Sequence, residues 1–336
     1  MSTFVARIGS LRVLSLALAA VALTAGTACR ARETPKAQAP EAAAAPTPDA
    51  TAPIVVSNAG FATPESVLYD DDADVYLVNN IDGGEVAADG NGFISRVDPA
   101  GRVLELKWID GATPEQALDA PKGMAFANGV LYVADIDTVR MFDRTSGKAT
   151  GKITISGATF LNDVAAAPDG TIYVSDSGLK QGKSDLEPSG SDAIYRIDKG
   201  QKKAARVIRG RDLGNPNGLL ADDEGVWVVT FGSGEIFRVS RNGRKEAGED
   251  LPAGQLDGIV QVADGSLLVS SWEGGSILRG FPGAGFLPNI SGVTSPADIG
   301  YDSKRKRVLI PLFMGDAVEF RGLGPAAPAE TPAPSP

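Results

Sequence analysis

An Xxx-Gly pair recurs along this chain at the head of a β-rich run: Asn128-Gly129 before VLYVAD, Asp169-Gly170 before TIYVSD, Glu224-Gly225 before VWVVT and Asp264-Gly265 before SLLVSS. Turns of this kind need positive φ, so each pair marks a hairpin. The pairs start 41, 55 and 40 residues apart. Weaker copies lacking the glycine stand at Asp72-Ala73-Asp74 before VYLVN and at Ser303-Lys304-Arg305-Lys306 before RVLIP. Each copy is followed by a further strand-like run, in order FISRVD, VRMFD, IYRID, IFRVS, ILRGF and AVEFR. A unit of about 40 residues cannot bury its apolar faces alone, and six of them predict an all-β, six-bladed β-propeller. A barrel or a sandwich would not explain a repeat at this spacing.

The repeat occupies residues 54–324. Ahead of it, Arg7 and Arg12 precede an apolar stretch from Val13 to Ala25 and then Gly26-Thr27-Ala28-Cys29. Thirteen apolar residues are too few to span a bilayer, but they suit the apolar segment of a secretory signal peptide over residues 1–28. Cys29 then falls at the cleavage point and is the lipidation candidate, with plain secretion and a free thiol as the alternative. The expected location is periplasmic or at the cell surface, with the outer membrane favoured and the membrane reached through the lipid anchor only. Residues 29–53 and 325–336 are Ala/Pro-rich and expected to be a disordered tether and tail.

Composition narrows the chemistry. The chain has no histidine, one cysteine and a net charge of −10. No internal disulfide, Cys-rich zinc module, HExxH site or His-based triad is available. No long Lys/Arg run appears, so nucleic acid is not an expected partner.

At the start of each unit stands an equivalent triplet: Pro64-Glu65-Ser66, Pro121-Lys122-Gly123, Leu161-Asn162-Asp163, Pro216-Asn217-Gly218, Leu256-Asp257-Gly258 and Pro296-Ala297-Asp298. Their middle residues are 57, 40, 55, 40 and 40 apart, in step with the hairpins. Innermost propeller strands line the central channel, so Glu65, Lys122, Asn162, Asn217, Asp257 and Ala297 should form a ring at one mouth. Oxygen donors without thiolate or imidazole suit a hard cation, Ca²⁺ before Mg²⁺ or Mn²⁺. Alternatively the Asn and Asp residues cap strands in Asx turns. Lys122 either pairs with Glu65 and Asp257, making a metal unnecessary, or binds an anionic substrate or oxyanion. Asp163 or Asp298, one residue further on, would supply extra charge beside the ring, and both are candidate substrate contacts together with Asn162, Lys122 and Trp272.

Two units carry inserts after their second strand, IDGGEVAADGNG at 81–92 and GLKQGKSDLEPSGSD at 178–192, which should rim the same mouth. Trp227 sits at a core position, and Asp135 and Asp176 at matching strand ends read as turn residues.

PKGMA, LNDVAAAPDG, NPNGL and LDGI, with Glu65 in the first unit, resemble the senescence marker/gluconolactonase (regucalcin-like) propellers over essentially the whole of residues 54–321. That resemblance implies one divalent cation, commonly calcium, held by Glu65, Asn217 and Asp257 with Asn162 nearby, and gives Asp257 the role of base or nucleophile. Glu65-Ser66-Val67 replaces the family's usual Glu-Gly-Pro, and Lys122 is outside the best-known lactonase pattern. The expected function is a metal-dependent hydrolase of lactones or similar esters, with Asp257 and Lys122 catalytic. The alternative is a non-catalytic ligand- or protein-binding propeller with a structural metal or a Lys-carboxylate cluster.

Overall fold

The computed structural model describes residues 52–324. The signal-peptide, tether, Cys29 and tail assignments lie outside the described residues, apart from the last two tether positions.

Six four-stranded antiparallel sheets follow one another around a central axis. In blade 1 the strands run, from the inside out, Pro64–Asp70, Val75–Asn80, Phe93–Val97 and Val103–Asp110. Blades 2 to 5 begin with Pro121–Ala127, Leu161–Ala166, Pro216–Ala221 and Leu256–Gln261, and keep the same order. Blade 6 begins with the short Gly300–Asp302, and its outermost strand is Ile54–Val56, borrowed from the start of the domain and paired with Ala317–Gly322. That pairing joins the two ends of the domain and covers the outer edge of Ala317–Gly322. The repeat pattern marks three strands per unit; the fourth, largely exposed strand of each blade has too weak an apolar signal to read.

Each blade is sandwiched between two others, so its inner strands are covered on both faces. Val75–Asn80, Ile172–Asp176 and Leu267–Ser271 are buried at every position, which is why these runs are nearly continuously apolar rather than alternating. The core is divided accordingly. Six apolar clusters each bridge two successive blades, for example Leu77, Ile94, Met124 and Val133 between blades 1 and 2 and Val56, Val318, Val67 and Tyr76 between blades 6 and 1.

In blades 1 to 5 the triplets lie within the first strands rather than before them and each is a β-bulge, whereas Pro296-Ala297-Asp298 precedes the short first strand of blade 6. Pro64 pairs with Asn80 and Val67 with Val78, so Glu65 and Ser66 together oppose Asn79. The same slip follows Pro121, Leu161, Pro216 and Leu256. Asn79 Oδ1 accepts both freed N–H groups, from Glu65 at 3.2 Å and Ser66 at 2.7 Å. Ser175 and Ser270 do the same job in blades 3 and 5 for Asp163 (2.9 Å) and Gly258 (2.7 Å). These three residues also tie each odd blade to the next: Asn79 Nδ2 donates to Lys122 O, Ser175 Oγ to Asn217 O at 2.7 Å and Ser270 Oγ to Ala297 O at 2.8 Å.

Crowding at the axis explains the glycines after the ring residues. A Cβ on Gly218 would meet Asp257 O at 2.1 Å, and one on Gly258 would meet Ile299 N at 2.3 Å. Both clashes are with backbone of the next blade, which cannot swing aside. Gly218→Ala should therefore cost about 2 kcal/mol by overpacking, read as a lowered denaturant midpoint; an unchanged midpoint would show that the inner strands can spread.

Candidate functional site

The bulges aim Glu65, Lys122, Asn162, Asn217 and Asp257 into one cavity of about 240 Å³ at one end of the channel. Bulges re-aim side chains in this way because two residues of one strand share a single partner. All five are buried. Ala297, the sixth ring position, is buried without lining the cavity.

Three of these side chains carry an oxygen with no hydrogen-bond partner: Glu65 Oε2, Asn162 Oδ1 and Asp257 Oδ1. Two are clamped from behind. Asn162 Nδ2 donates to Ser177 Oγ at 3.0 Å, and Trp272 Nε1 donates to Asp257 Oδ2 at 2.9 Å. Each clamp turns the remaining oxygen inward. A buried acceptor left unpaired costs roughly 1–3 kcal/mol, and three of them in one wall fit a hard divalent cation, which takes oxygen ligands of these types.

Burial pushes the Glu65 carboxyl well above its ordinary value, with Asp257 and Asp298 adding to the rise and Lys122 opposing it. Burial does the same to Asp257, reinforced by Asp298 and opposed by donors from Trp272 and Asn217. Lys122 is lowered by burial, against the pull of Glu65, Asp135 and Glu85.

Lys122 does not lie between Glu65 and Asp257. Its ammonium donates to Glu85 O at 2.7 Å and Ala120 O at 3.0 Å, and stands 4.5 Å from the Phe160 ring centroid. Among the described residues it makes no ion pair within 4 Å with either carboxylate, so the expected Lys-carboxylate cluster is corrected. Glu85 sits in the first insert, and its carbonyl draws the ammonium to the wall.

Asp163 and Asp298 are also corrected. Being one residue further along the bulge, they line a separate cavity toward the other end of the channel, not the ring's cavity. Asp163 accepts Val164 N and, from blade 4, Leu219 N, both at 2.6 Å. Asp298 accepts Ser66 Oγ where blade 6 meets blade 1. Both staple blades together. Asp135 receives the N–H groups of Asp119 and Ala120, and Asp176 those of Thr159, Phe160 and Gly178, so both hold the loops entering the first strands. Trp227 is half-buried against the blade 4–5 core, with Arg238 over its ring.

One set of lining residues escapes the triplet pattern. The position just past each second strand is Ile81, Ile136, Ser177, Phe231, Trp272 and Phe313, spaced 55, 41, 54, 41 and 41 residues apart. All but Ile136 line the cavity above the ring. Alignment one residue beyond the second strand would have exposed this collar. In blades 1, 4, 5 and 6 its N–H is bound by the carbonyl of Thr63, Asn215, Gln255 or Ser295, each left-handed at φ 46–57°. Such backbone is uncommon for non-glycine residues and concentrates at functional sites. Both inserts do rim this mouth, contributing Glu85 from the first and, from a small hairpin, Leu179 and Leu186 from the second.

A second acidic cluster is of a different kind. Asp70, Asp71 and Asp72, at the far end of the first strand, are close enough to share an ion, but Arg144 pairs with all three at 2.5–2.7 Å.

Fold and ring together define a six-bladed propeller with an oxygen-donor cluster at one mouth. Residues 63–287 match the model of the SMP-30/gluconolactonase/LRE-like region, and the chain belongs to that family. Among solved structures, a gluconolactonase from Xanthomonas campestris is 18% identical with a TM-score of 0.61, over 81% of this chain and 90% of that one. A calcium-binding regucalcin from Agrobacterium tumefaciens is 15% identical (TM-score 0.56; 81% and 94%), and a virginiamycin B lyase from Staphylococcus aureus 16% identical (0.55; 81% and 99%). At these identities the likeness is one of fold. No curated protein sequence matches the chain.

The buried carboxyls carry a pH signature. Glu65, Asp257 and Asp163 are all raised by burial, and burial pushes Asp298 up to about 7. At these four groups the folded chain thus holds protons that the unfolded chain has released, and their contribution to metal-free stability falls as pH rises from about 4 through about 7, the lowered Lys122 acting in the opposite sense. In chelator the melting temperature should be higher at pH 5 than at pH 8. A flat profile in chelator would contradict these protonation states.

Proposed function

We propose that this protein is a divalent-metal-dependent hydrolase of lactones or similar esters. The observation that carries the reading is the set of unpartnered buried oxygens of Glu65, Asn162 and Asp257; Asn217, beside them, completes the set that would hold the cation, with calcium the expected ion. When bound, the cation supplies Lewis acidity to a substrate carbonyl.

The chain's own groups account for the proton and the charge. Asp257 takes the proton of an attacking water. The Trp272 indole N–H fixes the plane of the Asp257 carboxylate; beside a bound cation that carboxylate is a weak base, which suits the reading to reactive esters such as strained lactones. The Lys122 ammonium spends two N–H groups on Glu85 O and Ala120 O, leaving the third for the oxyanion that develops as water adds. Asn162 orients substrate beside the ring, and the collar excludes bulk water from it.

The purified protein should carry about one calcium per chain, lost in both Glu65→Ala and Asp257→Ala, by elemental analysis. Asp257→Asn should reduce lactone hydrolysis by about 10²- to 10⁴-fold without unfolding the domain. Bound metal with no turnover of any lactone or ester would favour the binding-propeller reading instead.

Export and lipid attachment at Cys29 are part of the same proposal, supported by the basic, apolar and small-residue order of residues 7–29. Cys29→Ser should move the protein from the membrane fraction to the soluble exported fraction; retention in the membrane would refute the anchor.

A further inference from the structure

The cavity has two unlike halves. Its floor is the polar ring, whereas its walls are Ile81, Phe231, Trp272 and Phe313 from the collar and Leu179 and Leu186 from the second insert. The aromatic residues form one continuous face across blades 4 to 6, with Phe231 edge-on to Trp272 at 5.6 Å and Trp272 tilted against Phe313 at 5.1 Å between centroids. Met314, at the rim beside Phe313, is 72% exposed, an apolar side chain held at the entrance. Phe231, Trp272 and Phe313 are half-buried, so the aromatic face is open to the cavity.

Apart from the Glu85 carboxylate at the rim and the third Lys122 N–H, the polar groups above the floor are already engaged. Ser177 Oγ donates to Pro216 O at 2.8 Å and accepts from Asn162. The Trp272 indole N–H is taken by Asp257, and Lys122 has the two carbonyl partners given above. A ligand with a hydroxyl on every carbon would meet hydrocarbon walls and lose hydration without new partners, at a cost for each unmatched group. A ligand with one carbonyl for the floor and an alkyl or aryl body for the walls matches both halves.

We infer that the substrate class of this site is an apolar lactone or ester, carrying an alkyl or aryl substituent on the ring or acyl group, and not a polyhydroxylated sugar lactone. The inference rests on the hydrolase reading for its chemistry, but the walls select ligands whether or not turnover follows. The second insert is a specificity element in this view: its Leu179 and Leu186 line the same cavity from blade 3.

The test compares δ-nonalactone with δ-gluconolactone, two δ-lactones with the same reacting ester, using the whole calcium-loaded protein and correcting each for its uncatalysed hydrolysis. The expected result is kcat/KM higher for δ-nonalactone by about 100-fold, the size of discrimination a pocket draws from apolar contact and unmatched hydroxyls. In Leu186→Asn and Phe231→Ser that ratio should fall at least about tenfold. Equal or greater turnover of δ-gluconolactone would overturn the inference and leave the hydrolase reading standing. If neither is hydrolysed, binding decides the inference: saturable quenching of tryptophan fluorescence by δ-nonalactone, absent with δ-gluconolactone and lost in Trp272→Phe, supports the apolar site, and equal or no quenching by the two overturns it.

Discussion

Everything in this molecule is arranged around the crowding of six first strands at one axis. Strands that converge so closely leave little room between them: glycine stands at 123, 218 and 258, where a Cβ would strike the next blade, and at 66, 163 and 298 the side chain is one that hydrogen-bonds the neighbouring blade. They also cannot all pair in perfect register with their second strands. The bulge at the triplets of blades 1 to 5 releases that conflict, and in releasing it turns two consecutive residues toward the channel. One of the pair reaches the ring, and the other staples blades, as Asp163 and Ser66 do. Fold closure and site construction are thus the same local event, repeated.

The polar residues near the axis divide by whether their hydrogen bonds are complete. Asn79, Ser175 and Ser270 are fully used, satisfying bulge N–H groups on one side and carbonyls of the next blade on the other. Glu65, Asn162 and Asp257 are not: of the six unpartnered buried side-chain atoms among the described residues, these three oxygens are directed at one space, whereas those of Arg238, Asn289 and Arg321 lie on three different blades away from it. Buried polar groups are ordinarily satisfied, so this exception is the strongest physical statement the site makes. Above it, the collar changes character from oxygen to hydrocarbon within one residue step past each second strand, giving a small cavity whose floor and walls would recognise different parts of one ligand.

Much of this was legible in the chain. The Xxx-Gly hairpins and their 40-residue spacing carry the six-bladed architecture, because turn chemistry and β-propensity are local properties. Triplet spacing carries the ring, because symmetry converts equal sequence positions into neighbours in space. The outer strands such as Glu249–Asp250 were not legible, since exposed edges place few demands on sequence. Nor was the role of Lys122, whose ammonium is captured by the carbonyl of Glu85 in an insert of no regular pattern. The collar lay within reach of the same repeat but one residue outside the runs that define it.

The sequence by itself determined the number of blades, the oxygen-only donor chemistry and the positions where inserts are allowed, because composition and periodicity survive without any knowledge of side-chain direction. Only the tertiary structure decided that Asp163 and Asp298 face away from the ring's cavity, that Ile54–Val56 closes the last blade, and that Asp257 is clamped by Trp272. These depend on bulge geometry and on contacts between blades far apart in sequence, where a shift of one residue along a strand sends a side chain to a different cavity.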